Sequence, residues 1–593
     1  MKKKNFIAGL LILLLVSFGL LFGSCEGPAG PMGPEGQQGV PGIVGPQGPI
    51  GPQGPQKPQD RPAGLSAATY PGSNPGAFTN AATAEINLFS FNDFHGSVDK
   101  SASNSNPGAD RFAAVANKMM AEYTNPVLLA AGDNYQGSPL SNVFNGEPVS
   151  EMMWYLGVKY SAVGNHEFDW GANNINQFAQ DGGTYFLAAN IFLSGTENRP
   201  SFCKPYGFME IGGVRIGLIG LTTVETPTLV KAENVAGLDF RAPGPWLTEM
   251  VTKLKTDYNC GLVIALTHMP GGASPNANDF AAPDANSECG KLAAGNHGFD
   301  AIIGGHQHTL IKGVINNTPI VVGNYNGRGL TRLHIQYSST PGSTVITPYV
   351  YGQNDVNGGP NYSGTGTPGG NGSLLSTNVI NNQMKSVIAY YNGKVGPLFS
   401  TVVGKFGVAI TSRDEQAAWA NQVVYDFIAR NKPVDNYILF QNYGGWRDTS
   451  PYARTPDENV TLGYLYTLMP FDNEIVLLEM KGSDIKYMLN LPVGNTGSPS
   501  AFLVSAAVVT GVFKDTDGTW KLGSASSPGA VIDDDTNYKV ACNDFMLTGG
   551  DNFPFPGQAV QGHTSVKIVD PAFMGIPLRD AMIEQLKWRV TNP

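Results

Sequence analysis

The sequence predicts an α/β protein preceded by a collagen-like or disordered N-terminal segment. The 593-residue chain is 41% hydrophobic, which is enough to build sizeable cores and excludes global disorder. Short β-branched and aromatic runs recur after residue 85, and helical patterns follow at residues 378–391 and 416–430, with a strand pattern between them at residues 399–410. The length favours two or three domains.

Residues 1–24 have the pattern of a secretory signal. Lys2, Lys3 and Lys4 precede an apolar run at residues 6–22, which is short for a transmembrane helix of about 20 residues. The run ends at Ser24-Cys25 and resembles the lipobox of bacterial lipoproteins, in which the cysteine is acylated. We therefore expect an exported protein held to a membrane by a lipid on Cys25, at the outer membrane, the cell surface or the periplasmic face. Ordinary cleavage near Ser24 is the alternative.

Residues 25–84 are predicted to form a collagen-like segment and a linker. Glycine occurs at every third position from Gly27 to Gly54, as the collagen triple helix requires. Two interpretations remain open, a short stalk that makes the protein a trimer or a solvated polyproline-like spacer. We favour the spacer because no trimerisation domain is evident nearby.

The charge of the chain limits its partners. Its net charge is −10, so its overall field attracts neither nucleic acid nor anionic lipid. A phosphate ester would need local cations to bind.

Five predicted strands each end at residue types that bind metals. The strands are expected at residues 86–91, 127–131, 160–163, 262–266 and 301–303. Ligands gather beyond the carboxyl ends of strands in open α/β sheets, so these polar residues are expected to converge. Aspartate and histidine donors without cysteine suit two divalent ions such as Zn or Mn. The candidate ligands are Asp93, His95, Asp133, Asn165, His268, His306 and His308.

The motifs NDFHG, GDNYQGSPLS, GNHEFDWG, LTHMP and GGHQH resemble those of the 5'-nucleotidase family of calcineurin-like metallophosphatases. The resemblance implies a di-metal domain at residues 85–372, folded as a four-layer β-sandwich flanked by helices. It implies one metal at Asp93, His95, Asp133 and His308, and a second at Asp133, Asn165, His268 and His306. It also makes His166 and Asp169 a catalytic dyad that assists the attack of a metal-bound hydroxide on phosphorus.

The same resemblance continues into the C-terminal half. Residues 373–400 are expected to form a linker with a connecting helix, and residues 401–593 an α+β domain that binds the nucleotide. Two phenylalanines would stack on the base, an aspartate would hold the ribose, and arginines would bind phosphate. The residues implied are Arg413, Asn442, Arg447, Phe471, Phe545 and Asp551.

The favoured function is that of an exported, metal-dependent enzyme that removes the 5'-phosphate of nucleotides. A UDP-sugar hydrolase or a 2',3'-cyclic nucleotide phosphodiesterase of the same family is an alternative, because Tyr443 and Asp472 replace glycines usual in the family motifs. An adhesion or matrix protein with an inactive phosphatase-like head is an alternative of another class. Among the remaining cysteines, the favoured disulfide joins Cys260 and Cys289.

Overall fold

The computed structural model describes residues 76–99, 106–272, 280–352, 380–432, 437–447, 449, 452–490, 509–524, 526–547, 567–568 and 576–592. The predicted signal, Cys25, the Gly-X-Y repeat and the candidate residue Asp551 lie outside these ranges. In the described part of the chain, no helix is both long enough and apolar enough to cross a bilayer.

The first domain contains two large β-sheets and the helices that cover them. Its strands are β1 (Thr83–Phe91), β2 (Pro126–Ala130), β3 (Tyr160–Ala162), β4 (Tyr185–Leu187), β5 (Ile191–Leu193), β6 (Tyr206–Ile211), β7 (Val214–Thr222), β8 (Leu238–Phe240), β9 (Leu262–His268), β10 (Phe280–Ala281), β11 (Ala301–Gly304), β12 (Leu310–Ile315), β13 (Thr318–Val322), β14 (Leu330–Ser338) and β15 (Val345–Tyr351). Its helices are α1 (Ala109–Met120), α2 (Pro139–Val143), α3 (Glu147–Tyr155), α4 (Asn174–Gly182), α5 (Thr226–Leu229), α6 (Pro245–Thr256) and α7 (Glu288–Ala294), with 3-10 helices at His166–Phe168 and Ala232–Val235.

The two sheets pack face to face as a sandwich. One has the strand order β15-β14-β1-β2-β3-β4 and the other β10-β12-β13-β11-β9-β7-β6. Side chains alternate along β1: Leu88 belongs with Leu266 of β9 to the apolar cluster between the sheets, whereas Phe91 joins the core under α1 and α3. Val263 of β9 faces the opposite way, toward α6 and α7. The predicted four-layer sandwich flanked by helices is thus confirmed.

The parallel strands place the five predicted ligand loops at one edge of the sandwich. β1, β2 and β3 run parallel in the first sheet, and β9 and β11 run parallel in the second. All five predicted strands are present within a few residues of their expected bounds. Their carboxyl ends therefore open on a common region.

The second domain is an α+β unit built on a five-stranded sheet of order β20-β17-β24-β19-β25. Its strands are β16 (Val402–Lys405), β17 (Tyr437–Phe440), β18 (Asn459–Thr461), β19 (Ile475–Lys481), β20 (Val509–Thr510), β21 (Val512–Lys514), β22 (Trp520–Ser524), β23 (Ser527–Val531), β24 (Asn537–Asn543) and β25 (Lys567–Ile568). The connecting helix α8 (Asn382–Phe399) precedes α9 (Arg413–Asn431), α10 (Leu462–Leu468), α11 (Gly482–Leu489), α12 (Asp544–Leu547) and α13 (Leu578–Thr591), and a 3-10 helix lies at Tyr443–Gly445. Separate apolar clusters cover the two faces of the sheet.

Three elements around the domain joint differ from their predicted extents. The connecting helix starts and ends later than predicted, and its Met384, Val387 and Tyr391 belong to the core beneath α1 and α3. The strand predicted at residues 399–410 shortens to β16. The helix predicted at residues 416–430 is α9, which begins earlier, at Arg413. It begins there because the Ser412 side chain caps the helix by accepting a hydrogen bond from the Glu415 backbone N–H.

Residues 76–82, which were assigned to the linker, pack on the first domain. The Arg215 guanidinium lies 4.5 Å above the Phe78 ring and donates to the Gly76 carbonyl. At the same contact, the Asn80 side-chain amide donates to the Asn259 carbonyl, and the Asn259 side-chain amide donates to the Phe78 carbonyl. The chain is therefore fixed to this domain several residues before β1 begins.

Candidate functional site

Five of the seven predicted metal ligands share an unusual backbone conformation. Twelve non-glycine residues of the described chain have positive φ; seven are asparagines, and the other five are Asp93, His95, Asp133, His306 and His308. Aspartate and histidine adopt this left-handed region at a cost, and such strain persists where the surrounding structure enforces it. The strand-end turns thus aim these side chains at one place.

Asp93, His95 and His308 form the first cluster of possible ligands. The Asp93 Oδ1 atom lies 3.3 Å from His308 Nε2 and 3.7 Å from His95 Nε2. Asp93 Oδ1 is fully buried and has no hydrogen-bond partner among the described residues. A buried carboxylate oxygen facing two imidazoles in this way fits a divalent cation.

Asp133, His268 and His306 form the second cluster. His268 Nε2 lies 3.0 Å from Asp133 Oδ2. The buried Asn165 Oδ1 atom makes no hydrogen bond within the described chain. This oxygen and the His268–Asp133 pair match the ligand set expected for a second cation.

Hydrogen bonds behind the clusters orient the imidazoles. His95 Nδ1 donates to the Gln136 carbonyl at 3.1 Å, and His268 Nδ1 donates to the Ala131 carbonyl at 2.7 Å. A carbonyl only accepts, so each Nδ1 carries a proton and each Nε2 is turned toward the carboxylates. This arrangement is typical of metal-binding histidines.

The electrostatics keep the two carboxylates ionised. Burial raises the pKa of Asp93 and Asp133, but the neighbouring His268 and other imidazoles outweigh burial and hold both pKa values below the usual range. Burial, together with His268, lowers the pKa of His306 to about 4, so its ring is neutral at pH 7. Anionic oxygens and a neutral imidazole are the forms that bind cations.

Glu167 ties two ligand loops together. Its Oε2 accepts from the N–H groups of Asp133 at 2.9 Å and Gly164 at 2.6 Å, and its Oε1 accepts from the Asn134 N–H at 2.8 Å. Burial and the Asp133 carboxylate raise the pKa of Glu167 to about 7 against these donors. Its position behind the ligands agrees with a structural role.

His166 and Asp169 form a hydrogen-bonded pair on the 3-10 helix that follows β3. His166 Nδ1 lies 2.7 Å from Asp169 Oδ2. The His166 backbone N–H also donates to Asp133 Oδ1, and this bond places the residue beside the two ligand clusters. Burial lowers the pKa of His166, but the Asp169 and Asp133 carboxylates raise it by more, so the net shift is upward.

A cavity of about 400 Å³ joins this centre to the second domain. Its walls include Asp133, Asn165, His166, Asp169, His306 and His308 from the first domain, and Asn442, Arg447, Phe471 and Phe545 from the second. The Arg447 guanidinium lies 4.8 Å from the Phe471 ring centre. Arg413 does not line the cavity; its guanidinium donates to the Trp446 carbonyl directly behind Arg447.

Comparison with known proteins identifies the domains. A family model described as calcineurin-like phosphoesterase matches residues 88–310, and one described as 5'-nucleotidase, C-terminal domain, matches residues 399–558. The two models together cover more than half of the chain.

The chain belongs to the 5'-nucleotidase family.

Relatives and solved structures agree with this membership. The chain is 26% identical to a cell wall protein of Listeria monocytogenes, over 86% of the chain and 68% of that protein. It is 27% identical to a snake venom 5'-nucleotidase of Crotalus adamanteus, over 80% and 82% respectively. The crystal structure of a 5'-nucleotidase precursor from Thermus thermophilus matches with a TM-score of 0.61 and 20% identity, over 85% of this chain and 96% of that one, and so shares the fold. This 5'-nucleotidase family member is thus a phosphoesterase.

The cavity wall also contains residues that the sequence analysis did not assign to the site, among them Lys231, Asn234, Trp170 and Gln136. Lys231 and Asn234 come from the segment after α5, Trp170 follows Asp169, and Gln136 lies between Asp133 and α2. Trp170 and Gln136 fall inside the quoted motifs, so their proximity to ligands was a usable signal. Lys231 and Asn234 follow no strand-end motif and had no such signal.

The predicted disulfide is wrong. Cys203, Cys260, Cys289 and Cys542 are all free and buried. Cys260 precedes β9, whereas the Cys289 thiol donates to the Met269 carbonyl just beyond its other end. A seven-residue strand of about 20 Å separates them, far beyond disulfide reach.

Proposed function

We propose that this 5'-nucleotidase family member is an exported, metal-dependent phosphohydrolase that removes the 5'-phosphate of nucleotides and yields a nucleoside and phosphate. The observation that carries the proposal is one cavity, which is lined by predicted ligands and the His166–Asp169 pair from the first domain and by Phe471, Phe545 and Arg447 from the second. A phosphorylated, flat substrate has a complementary group at each end.

The first domain would hold two divalent ions. Asp93, His95, Asp133 and His308 would hold one, and Asp133, Asn165, His268 and His306 the other; Zn and Mn suit these donors. When bound, the ions would supply Lewis-acid activation of the attacking water and of the phosphoryl oxygens.

His166 would act on the transferred group. With Nδ1 bonded to Asp169, its Nε2 remains to meet the phosphoryl group or the leaving 5'-oxygen. The Asp169 carboxylate stabilises the protonated ring, so His166 can carry the proton that the leaving oxygen takes up.

The second domain would select the substrate. Phe471 and Phe545 offer ring faces for a nucleobase, and the Arg447 fork offers two donors for phosphate oxygens. Asn442 lines the same wall. Arg413 would support Arg447 from behind, and Asp551 is proposed as the ribose contact.

The proposal of export rests on the signal-like residues 1–24 and on similarity to a cell wall protein and a venom enzyme. A lipid on Cys25 would attach the protein to a membrane, and the Gly-X-Y segment would space it from the surface. Incorporation of radiolabelled palmitate into the wild-type chain, but not into Cys25→Ser, tests the anchor. No incorporation into the wild type would refute it.

Phosphate release from a substrate panel tests the activity. The purified chain lacking residues 1–24, with Cys25→Ser, is supplied with Mn²⁺ or Zn²⁺ and assayed against nucleoside monophosphates, a UDP-sugar, a 2',3'-cyclic nucleotide and glycerol phosphate. We expect nucleoside monophosphates to be preferred and Asp133→Asn to abolish turnover. Preference for the UDP-sugar or the cyclic nucleotide would replace the proposal with that activity. If the metal-loaded protein cleaves no phosphoester, the result would favour the alternative of an adhesion or matrix protein with an inactive phosphatase-like head.

A further inference from the structure

Gln136 is a fully buried side chain whose amide is unbonded. It lies in the turn between β2 and α2, is 1% exposed, and lines the cavity beside Asp133, Asn165 and His166. Neither Oε1 nor Nε2 of its amide has a hydrogen-bond partner among the described residues. Buried amides are almost always bonded, so an amide at this position needs an explanation.

The backbone that carries this side chain is fixed against a predicted ligand. The Gln136 backbone carbonyl accepts from His95 Nδ1. The next residue, Gly137, donates to Asn142 Oδ1 and packs so closely on His95 that an added Cβ would lie 2.8 Å from the His95 Cβ. The backbone of residues 136–137 is therefore fixed, and the side chain extends from it into the cavity wall.

The chemistry of the cavity determines what can satisfy the amide. A phosphoryl group offers only acceptor oxygens, and the amide nitrogen supplies two N–H donors without adding charge. Resting on the proposed function, we infer that Gln136 is a further substrate-binding residue whose Nε2 donates to a non-bridging oxygen of the substrate phosphoryl group. The hydrogen bond orients the phosphoryl group relative to His166. Cations attract the group without fixing its direction in this way.

Two substitutions separate this contact from a packing role. Gln136→Met keeps the length and volume of the side chain but removes the donor, and Gln136→Glu keeps its shape but presents an anion to phosphate. Gln177→Met is the matched control, since Gln177 is exposed on α4 and bonds only to Asp181 among the described residues. All variants are loaded with Mn²⁺, and their metal content is measured by elemental analysis.

Binding of inorganic phosphate, measured by calorimetry and by inhibition, is the readout. We expect Gln136→Met to weaken phosphate binding about tenfold or more and Gln136→Glu to weaken it further, with metal content and melting temperature as in wild type. Gln177→Met should bind phosphate like the wild type. Unchanged phosphate affinity in both Gln136 variants would overturn the inference, as would an affinity loss that simply follows loss of metal.

A structure of the metal-loaded wild type with phosphate gives a test that does not depend on any variant folding. Gln136 Nε2 within about 3.2 Å of a phosphate oxygen supports the contact, and a bound phosphate with no oxygen within that distance of Nε2 refutes it. These readouts use phosphate alone. A wild type that binds phosphate at Gln136 but cleaves no nucleotide would reject the proposed function and retain the contact.

Discussion

The Phe471 ring lies nearly parallel to the His166 imidazole, with 5.9 Å between the ring centroids and 26° between the planes. The two residues come from different domains, so the proposed base-binding wall and the proposed catalytic pair meet in one cavity. Asn142 strengthens this junction: it accepts from the Gly137 N–H on the ligand side and donates to the Pro470 carbonyl beside Phe471. Substitutions on the two sides should therefore separate chemistry from substrate recognition.

His166→Ala should lower kcat by about 10²–10⁴-fold, because the variant loses the residue proposed to protonate the leaving oxygen. Steady-state kinetics with a nucleoside monophosphate provide the measurement. Metal content should be unchanged, since His166 is not among the proposed ligands. Near-normal kcat with full metal would contradict the role.

Phe471→Leu and Phe545→Leu should each raise KM for nucleoside monophosphates. Loss of one stacking contact costs about 1–3 kcal/mol, or roughly 5- to 150-fold. Glycerol phosphate has no base, so its kcat/KM should change little in the same variants. An equal loss for both substrates would show that the rings support the cavity rather than bind a base.

Removal of metal should abolish activity and destabilise the first domain. Asp93 and Asp133 are buried, ionised and close together, so without cations only the surrounding imidazoles offset their charge. Dialysis against a chelator should lower the melting temperature measured by calorimetry, and Mn²⁺ or Zn²⁺ should restore it together with activity. A chelated protein with unchanged melting temperature and turnover would show that the clusters hold no essential ion.

Glu167→Gln should destabilise the first domain by about 1–3 kcal/mol, because an amide cannot accept the three backbone N–H bonds that the carboxylate accepts. Urea unfolding of the metal-free protein measures this cost without the contribution of metal binding. Glu122→Gln, on the exposed chain after α1, is the control and should leave stability unchanged. Equal stability of the two variants would show that the Glu167 hydrogen bonds to the two ligand loops do not stabilise the domain.

The four buried thiols should be unreactive in the native protein. Burial raises the pKa of Cys203, Cys260 and Cys289 to about 12, so all three stay protonated at neutral and mildly alkaline pH. In the Cys25→Ser chain, a thiol reagent should react at pH 8 only after denaturation, with four equivalents. Fewer than four equivalents without reductant would indicate a disulfide.

Local sequence was sufficient to predict which strand-end residues lie together in the candidate clusters. Strands such as β1 and β9 are continuous apolar runs, and the rule that ligands gather at strand ends brings Asp93 and His268 together although they are far apart in sequence. Lys231 could not be found in this way. It enters the cavity because its ammonium group lies 3.0 Å from Asp544 Oδ2 on the second domain, and that pairing depends on how the domains meet.

The disulfide prediction was wrong for a related reason. Cys260 and Cys289 flank one strand in sequence, but a strand keeps its two ends apart, and sequence spacing alone does not show on which side a returning helix packs. Arg413 likewise was assigned to substrate by motif, whereas the turn of the chain at Trp446 places it behind Arg447.

The attachment of residues 76–82 fixes the start of β1 far from the ligand loops. From this attachment β1 runs nine residues, about 30 Å, before the chain reaches Asp93. Residues 76–82 therefore lie at the end of β1 opposite the ligand loops. Substitutions at Phe78 or Asn80 would alter this attachment about one strand length away from the predicted ligands, so the stability they cost would be separate from any loss of a cavity residue.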